Sequence, residues 1–206
     1  MLEEAVASYE GALGEDLHAV QYVLDRGIDQ QTAVTFRLGV VADPLPGHER
    51  FRGWLAIPYL DRHGKPLTVR FRCLENHNHR DQYHGKYMSI TDDPARVFNV
   101  GAIHRATDTI HVTEGELDAL VLNQLDLPAV AIPGASGFQG HHRRMLAGFN
   151  RVWCWGDPDD AGADFVNKVT RMLRSAKAVR LRDGDVTENY LAGGADAIYS
   201  LIEQDD

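Results

Sequence analysis

The chain has 206 residues, of which 44% are hydrophobic and 25% charged, so it can bury a core and is neither disordered nor a fibrous repeat. Its 21 Lys and Arg against 30 Asp and Glu give a net charge of -9, which argues against a protein built mainly as a basic clamp on nucleic acid. The two cysteines, Cys73 and Cys154, form no CxxC pair. We therefore expect no zinc ribbon, zinc finger or disulfide framework. Without a leader-like or membrane-length apolar stretch, the sequence predicts a soluble, cytoplasmic protein.

The charge is unevenly distributed along the chain. Residues 1–105 carry 12 Lys and Arg against 14 Asp and Glu, whereas residues 106–206 carry 9 against 16. Within the first part, residues 45–86 hold eight Lys and Arg, only four acids and five histidines. This division predicts two domains, 1–105 and 106–206. It also suggests a site where one half holds an anionic ligand and the other half holds cations.

The first half predicts a small mixed α+β domain. Residues 16–26 have apolar side chains at helical spacing, and Gly27 follows as a stop signal. WLAIPYL (54–60) and PLTVRFRCL (66–74) predict two strands joined by the tight turn DRHG. Residues 75–86, ENHNHRDQYHGK, are polar and predict a loop.

The second half alternates short Val- and Ile-rich runs with longer amphipathic stretches. The predicted strands are residues 109–113, 128–133, 151–155 and 177–181, and the predicted helices are residues 116–124, 139–147, 161–173 and 195–202. Repeated strand–helix units predict a parallel sheet with right-handed crossovers and helices on both faces. In such a sheet the ligand site lies beyond the carboxyl ends of the strands.

Acidic residues follow three of the predicted strands: Glu114 and Asp118, Asp157 and Asp159, and Asp185. Two ionised carboxylates about 4 Å apart repel by about 4 kcal/mol at an effective dielectric of about 20, so protonation or a bound cation must relieve them. Oxygen ligands without neighbouring Cys or His favour Mg²⁺ or Mn²⁺, which points to phosphoryl or nucleotidyl transfer. The alternative is structural, since single acids at helix N-termini are common caps.

Two acidic motifs resemble the TOPRIM domain. EGELDA (114–119) is similar to its EGxxDA motif, and DPDDAG (157–162) to its DxDxAG motif. DVTEN (185–189) resembles its third acidic element more loosely. The resemblance implies an α/β fold in which a TOPRIM domain with a parallel sheet flanked by helices occupies residues 106–206.

The first half resembles the polymerase core of DnaG-type primases from bacteria and phages. The similar segments are YVLDRGIDQQTAVTFRLGV (22–40), FRGWLAIPYLDRHGKPLTVRFRCL (51–74) and GKYMS (85–89). The smaller mixed α+β basic subdomain predicted at residues 1–105 would then precede the TOPRIM domain. Together the two resemblances cover roughly residues 9–192.

A DnaG-type resemblance implies a DNA primase that makes short RNA primers on single-stranded DNA by metal-dependent nucleotidyl transfer. The implied catalytic residues are Glu114, Asp118, Asp157 and Asp159. Glu114, Asp157, Asp159 and Asp185 would hold Mg²⁺ or Mn²⁺, with Glu114 alternatively acting as general acid or base. Arg52, Arg70, Arg72, Lys86 and Tyr87 would hold the template and the ribonucleoside triphosphate. The rival readings are a TOPRIM nuclease and a non-catalytic replication accessory protein.

The sequence suggests two places where zinc could be bound: a separate partner protein and one histidine cluster of this chain. No zinc-binding primase module is recognised in the sequence, so a separate zinc-binding component and a replicative helicase are the expected partners. His77, His79 and His84 offer nitrogen ligands for a transition metal. Because a polar loop usually exposes its histidines, the sequence favours a solvated cluster without metal.

Overall fold

A computed structural model describes residues 1–91, 93–94, 96–133, 137–181 and 183–205. The chain forms two compact units: Met1–Asp25 with Asp29–Pro94, and Arg26–Ile28 with Ala95–Asp206. The functional division predicted after residue 105 stays a prediction. The mixed α/β architecture is the one predicted from the sequence.

The first unit combines three helices with an antiparallel sheet of order β1-β2-β3-β4. Its elements are α1 (Leu2–Leu13), α2 (Leu17–Asp25), α3 (Gln30–Thr35), β1 (Gly39–Val40), β2 (Leu55–Leu60), β3 (Pro66–Arg72) and β4 (Tyr87–Ser89). Asp16 begins α2 by accepting a hydrogen bond from the Ala19 amide, 2.9 Å away. The predicted α2 helix and the β2–β3 hairpin are confirmed. Helices α1 and α3 and the short strands β1 and β4 were not predicted.

Aromatic and aliphatic side chains from α1, β2 and β3 form the core of the first unit. Tyr9 of α1 is buried, and its hydroxyl lies 2.8 Å from His48 Nδ1. Phe51 and Phe71 stack with their ring centroids 4.0 Å apart. Burial of such rings is a main favourable term for folding.

The second unit carries a four-stranded sheet of order β6-β5-β7-β8 in which every pairing is parallel. Its elements are α4 (Gly101–Arg105), β5 (Thr109–Thr113), α5 (Glu116–Gln124), β6 (Ala129–Ala131), α6 (Gly140–Leu146), β7 (Arg151–Trp155), α7 (Asp160–Met172), β8 (Ala176–Val179) and α8 (Val186–Asp205). The predicted parallel sheet flanked by helices is confirmed. Strands β5, β6 and β7 are largely buried because helices cover them, which explains their continuous apolar runs, whereas three of the four residues of β8 are half-buried.

Helix α8 differs from its prediction, which covered only residues 195–202. The helix begins at Val186 because Asp185 Oδ1 accepts from the Glu188 amide at 2.8 Å, while Glu188 Oε2 accepts from the Asp185 amide at 3.2 Å. Gly194, at φ 67°, interrupts the helix. Because glycine usually ends a helix, the sequence analysis placed the start of the helix after this residue and missed its first half. Neither α8 nor any other helix in the described part of the chain has the length and apolarity that a membrane span requires.

Candidate active site

The acidic residues lie at one edge of the parallel sheet because two neighbouring strands end there. Strands β5 and β7 pair in parallel, with Val112 opposite Cys154. Glu114 follows the last residue of β5, and Asp157 lies two residues beyond the end of β7. Parallel strands that pair in register place their carboxyl ends side by side. The sheet therefore brings together two of the acidic segments that the sequence singles out.

Glu114 is half-buried at this edge, whereas Asp157 and Asp159 are exposed. Burial, followed by the negative charges of Asp157 and Asp159, raises the pKa of Glu114 to about 7. The charges of Asp157 and Asp159 therefore act on Glu114, the half-buried carboxylate of the three. Near neutral pH, a bound cation would favour the ionised form of Glu114.

The loop that carries Asp157 and Asp159 is closed by the first turn of α7. Asp159 is the N-cap of this helix, and its Oδ1 accepts from the Gly162 amide at 2.8 Å. A side chain at position 162 would collide with the backbone of Asp157, so glycine is required where the helix approaches the loop. Capping and cation binding are compatible here, because the hydrogen bond uses only one of the two carboxylate oxygens.

Asp118, on the first turn of α5, is only 8% exposed. Its Oδ1 accepts two hydrogen bonds from Thr187, one from the amide at 3.1 Å and one from the hydroxyl at 3.0 Å. Burial, followed by the charges of Asp185 and Asp157, nevertheless raises the pKa of Asp118 to about 7. Asp118 therefore links α5 to the start of α8 and belongs to the same group of interacting acids.

Sequence reasoning missed Thr187, which is 1% exposed and holds Asp118 from 69 positions away. Thr187 belongs to the motif DVTEN, but the sequence analysis considered only the acidic residues of that motif. Asp185 of this motif is partly buried and caps α8 through the Glu188 amide. The charge of Asp185 contributes to the raised pKa of Asp118, whereas the raised pKa of Glu114 comes from burial, Asp157 and Asp159.

The donor set of this edge fits a hard divalent cation. The candidate ligands are carboxylates, which the described segments after β5, β7 and β8 contribute. Mg²⁺ and Mn²⁺ prefer such oxygen donors. Two of the acids, Glu114 and Asp118, have raised pKa values that a nearby cation would lower.

Among the predicted basic residues, Arg70 and Arg72 lie against the ring of Tyr87 in the first unit. Their guanidinium carbons lie 5.0 Å and 4.6 Å from its centroid, within cation–π distance. Arg72 is only 3% exposed and also donates a hydrogen bond to the Tyr22 hydroxyl. Arg72 is thus placed to orient Tyr87 rather than to lie on the surface.

Arg52 and Lys86, the other two predicted basic residues, are exposed. Arg52 Nη1 donates to the Ala42 carbonyl at 2.6 Å, and its Nη2 lies 3.6 Å from Asp43. Lys86 precedes β4, and its carbonyl accepts from the Cys73 amide at 3.0 Å. The β3–β4 pair therefore places Lys86 beside the arginine and tyrosine group of the same sheet.

The comparisons with known proteins agree with this geometry. Residues 111–188, which include all five acids, match the model of the Toprim-like family. The structure also resembles the RNA polymerase domain of Mycobacterium tuberculosis primase DnaG, solved in complex with a double-stranded DNA oligomer with a 6-nucleotide overhang. The TM-score is 0.80 at 20% identity, over 98% of this chain and 78% of that one. The chain thus contains a Toprim-like domain and has the fold of DnaG-type primase catalytic cores, as predicted.

Two relatives are recognised by sequence. The gene 57 protein of Mycobacterium phage D29 is 31% identical over 157 residues, which are 74% of this chain and 99% of that protein. The chain belongs to the same family as this phage protein. A DNA primase of Clostridium acetobutylicum is 24% identical over 97% of this chain and 39% of its own length. The chain therefore spans less than half of the clostridial primase.

Proposed function

We propose that the chain is the catalytic core of a DNA primase, which synthesises short RNA primers on a single-stranded DNA template. The observation that carries the proposal is the meeting of Glu114, Asp157 and Asp159 at the carboxyl edge of the β5–β7 pair, where two of the charges act on the third. The primase-type fold and the relatives named as primases support the same activity.

The proposed reaction joins a primer 3′-hydroxyl to the α-phosphorus of a ribonucleoside triphosphate. A new O–P bond forms, the bond to the departing pyrophosphate breaks, and the hydroxyl proton needs an acceptor. Glu114, half-buried beside Asp157 and Asp159, is the proposed acceptor in the alternative in which it does not bind the cation. Asp118 is buried and held by Thr187, so it acts by fixing the third acidic segment beside the edge.

Asp157, Asp159 and Asp185, with Glu114 when it is ionised, are the proposed holders of Mg²⁺ or Mn²⁺. A divalent ion bound there would supply charge stabilisation for the phosphates in the transition state. The protein's contribution is to hold the carboxylates ready, through the cap of α7 for Asp159 and the cap of α8 for Asp185. Such holding reduces the reorganisation needed during the reaction.

The locally basic part of the first unit, residues 45–86 together with Tyr87, is the proposed contact surface for nucleic acid. Arg52 and Lys86 are exposed and would contact template or nucleotide phosphates. Arg70 and Tyr87 are half-buried and would contact a nucleotide phosphate and a base, respectively. Arg72 would act through Tyr87, against which it packs.

A weak grip on the template is expected from the net charge of -9. We therefore propose that a separate zinc-binding primase component and a replicative helicase assist the core. The M. tuberculosis structure in complex with DNA supports the proposed template. The proposal places the protein in the cytoplasm of a bacterium or a phage-infected host, where the template is.

The test is to incubate the purified chain with single-stranded DNA, labelled ribonucleotides and Mg²⁺ or Mn²⁺. Glu114→Gln and Asp159→Asn should each lower primer synthesis by about 100-fold or more. Asparagine also caps helices, so Asp159→Asn removes the charge while preserving the start of α7. Asp196→Asn, at an exposed position of α8, is the matched control and should retain activity.

Different products identify the rival functions. Metal-dependent degradation of the template without synthesis would indicate a TOPRIM nuclease that uses the same acids. Unchanged DNA and nucleotides, even after the helicase and zinc-binding components of the same replication system are added, would indicate a non-catalytic accessory protein.

A further inference from the structure

A second group of candidate metal-binding side chains belongs to the first unit, whereas the carboxylates belong to the second unit. Cys73, His77, His79 and His84 each offer one ligand atom, and these four atoms all lie within 4.8 Å of one another. Cys73 Sγ is 3.8 Å from His77 Nε2. The three imidazole rings have centroids 4.7 to 5.2 Å apart. One sulfur and three nitrogens thus lie close together, within 4.8 Å of one another.

The β3–β4 pair brings these residues together. Ladder hydrogen bonding continues past β3, where the Cys73 amide donates to the Lys86 carbonyl at 3.0 Å, so the intervening segment must fold back. Within that segment the His84 amide donates to the His79 carbonyl at 3.1 Å. This tight turn sets the two histidines side by side and returns them toward Cys73.

Burial shows that the histidines turn inward, contrary to the solvated loop that the sequence favours. In residues 75–86 the three histidines are half-buried, while the other nine residues are exposed, including Tyr83 at 94%. His79 Nδ1 is fully shielded from solvent and has no hydrogen-bond partner among the described residues. A shielded nitrogen without a partner is costly unless a ligand or ion satisfies it.

The other imidazoles are also oriented for ligation. His84 Nδ1 lies 3.0 Å from the Gly85 carbonyl, and as a donor to this oxygen it leaves Nε2 as the ligand atom. His77 directs Nε2 toward the cysteine sulfur.

We propose that Cys73, His77, His79 and His84 form a structural Zn²⁺ site. Ligands on tetrahedral zinc lie about 3.5 Å apart, so the observed cluster needs to contract by only about 1 Å. Thiolate sulfur and imidazole nitrogen are both donors that zinc binds, and such a donor set disfavours Mg²⁺, which prefers oxygen. Four protein ligands leave no open position, so the ion would stabilise the loop rather than perform chemistry.

The site has a consequence that rests on the proposed function. The loop ends at Lys86 and Tyr87, two residues proposed to contact nucleic acid, and it contains no apolar side chain beyond the exposed Tyr83 to order it. A zinc ion with one thiolate adds one net positive charge beside them. Zinc would therefore both order this end of the contact surface and favour phosphate binding.

The experiment measures metal content of the untagged, full-length chain and its Zn²⁺ affinity in competition with a chromophoric chelator. One zinc per chain is expected, and Cys73→Ser and His79→Ala should weaken binding by about 100-fold or more. Co²⁺ should give tetrahedral absorption bands and a thiolate charge-transfer band that Cys73→Ser abolishes. His18→Ala, at an exposed position of α2, and Cys154→Ala are the matched controls and should leave both readouts unchanged.

Cys73 is 4% exposed, so its variant must be shown to be folded by near-ultraviolet circular dichroism. His84→Ala, on the loop, provides a second test with less risk to the core. A chain that takes up no zinc after reconstitution, or that binds it equally well with Ser at position 73, would overturn the proposal. Zinc binding without effect on single-stranded DNA affinity would leave the site standing and refute its role at the template. Loss of primer synthesis alone bears only on the proposed activity.

Discussion

The two units of this protein assemble charged groups in opposite ways. In the TOPRIM unit, Glu114 and Asp118 share one edge with other carboxylates, and their pKa values are raised to about 7. In the first unit, Arg70 and Arg72 are packed against the ring of Tyr87. One unit therefore keeps like charges close together, while the other stabilises its cations with aromatic rings. Repulsion between neighbouring carboxylates favours the binding of a cation, whereas cation–π packing holds the arginine side chains in place on Tyr87.

The same contrast extends to metal chemistry. The acidic edge offers only oxygen donors, whereas the loop after β3 offers one sulfur and three nitrogens. Hard Mg²⁺ prefers the first set, and Zn²⁺ prefers the second. If both proposals hold, the chain carries two metal sites that need no common ligand and respond to different ions.

The largest expected effect separates the two sites. Asp157→Asn combined with Asp159→Asn should reduce primer synthesis by about 1,000-fold or more, because the phosphates lose their main cation site. The zinc content of the same variant should stay at one per chain. Primer yield and metal analysis on one preparation test both statements. If the double variant still synthesised primers, the carboxylates Asp157 and Asp159 would not be the catalytic cation site.

A smaller effect concerns the stability of the metal-free acidic edge. Asp118 has a folded-state pKa of about 7 against about 4 when unfolded, so its stabilising contribution is complete below pH 4 and is lost as the pH rises through 7. Asp118→Asn keeps an oxygen for Thr187 and removes the charge. In the presence of a chelator, the variant should be more stable than the natural chain at pH 8, by on the order of 1–3 kcal/mol.

Urea unfolding at pH 8 and pH 4 measures this difference. The gain should shrink toward zero at pH 4, where the natural aspartic acid is itself largely protonated when folded. A variant that is less stable at pH 8 than the natural chain would mean that the Thr187 hydrogen bonds outweigh the charge repulsion.

The smallest expected effect is on DNA binding by the arginine and tyrosine group of the first unit. Arg70→Ala should weaken single-stranded DNA binding several-fold and reduce the slope of log affinity against log salt by about 1, as expected for one lost phosphate contact. Arg62→Ala, at an exposed turn position between β2 and β3, removes the same charge and should leave affinity nearly unchanged. Equal losses in the two variants would assign the effect to net charge rather than to the Tyr87 group. Titrations by fluorescence anisotropy at several salt concentrations provide the comparison.

Much of the second unit could be predicted because its periodic pattern is local. Strands 109–113 and 151–155 and helix 116–124 have the predicted boundaries, since apolar runs and flanking polar residues mark them directly. The carboxyl edge followed from the parallel order of the strands. The start of α8 did not, because the glycines near residue 193 resemble a loop and the cap at Asp185 outweighs them.

The sequence by itself determined the chemistry of the carboxylates, since their types, order and positions after strands are properties of the chain. Only the tertiary structure decided which side chains are buried and paired. Asp118 meets Thr187 across 69 residues, and Cys73 joins the three histidines only because β3 pairs with β4. Periodicity reports which face of an element is apolar, but contacts between distant segments depend on how those faces pack.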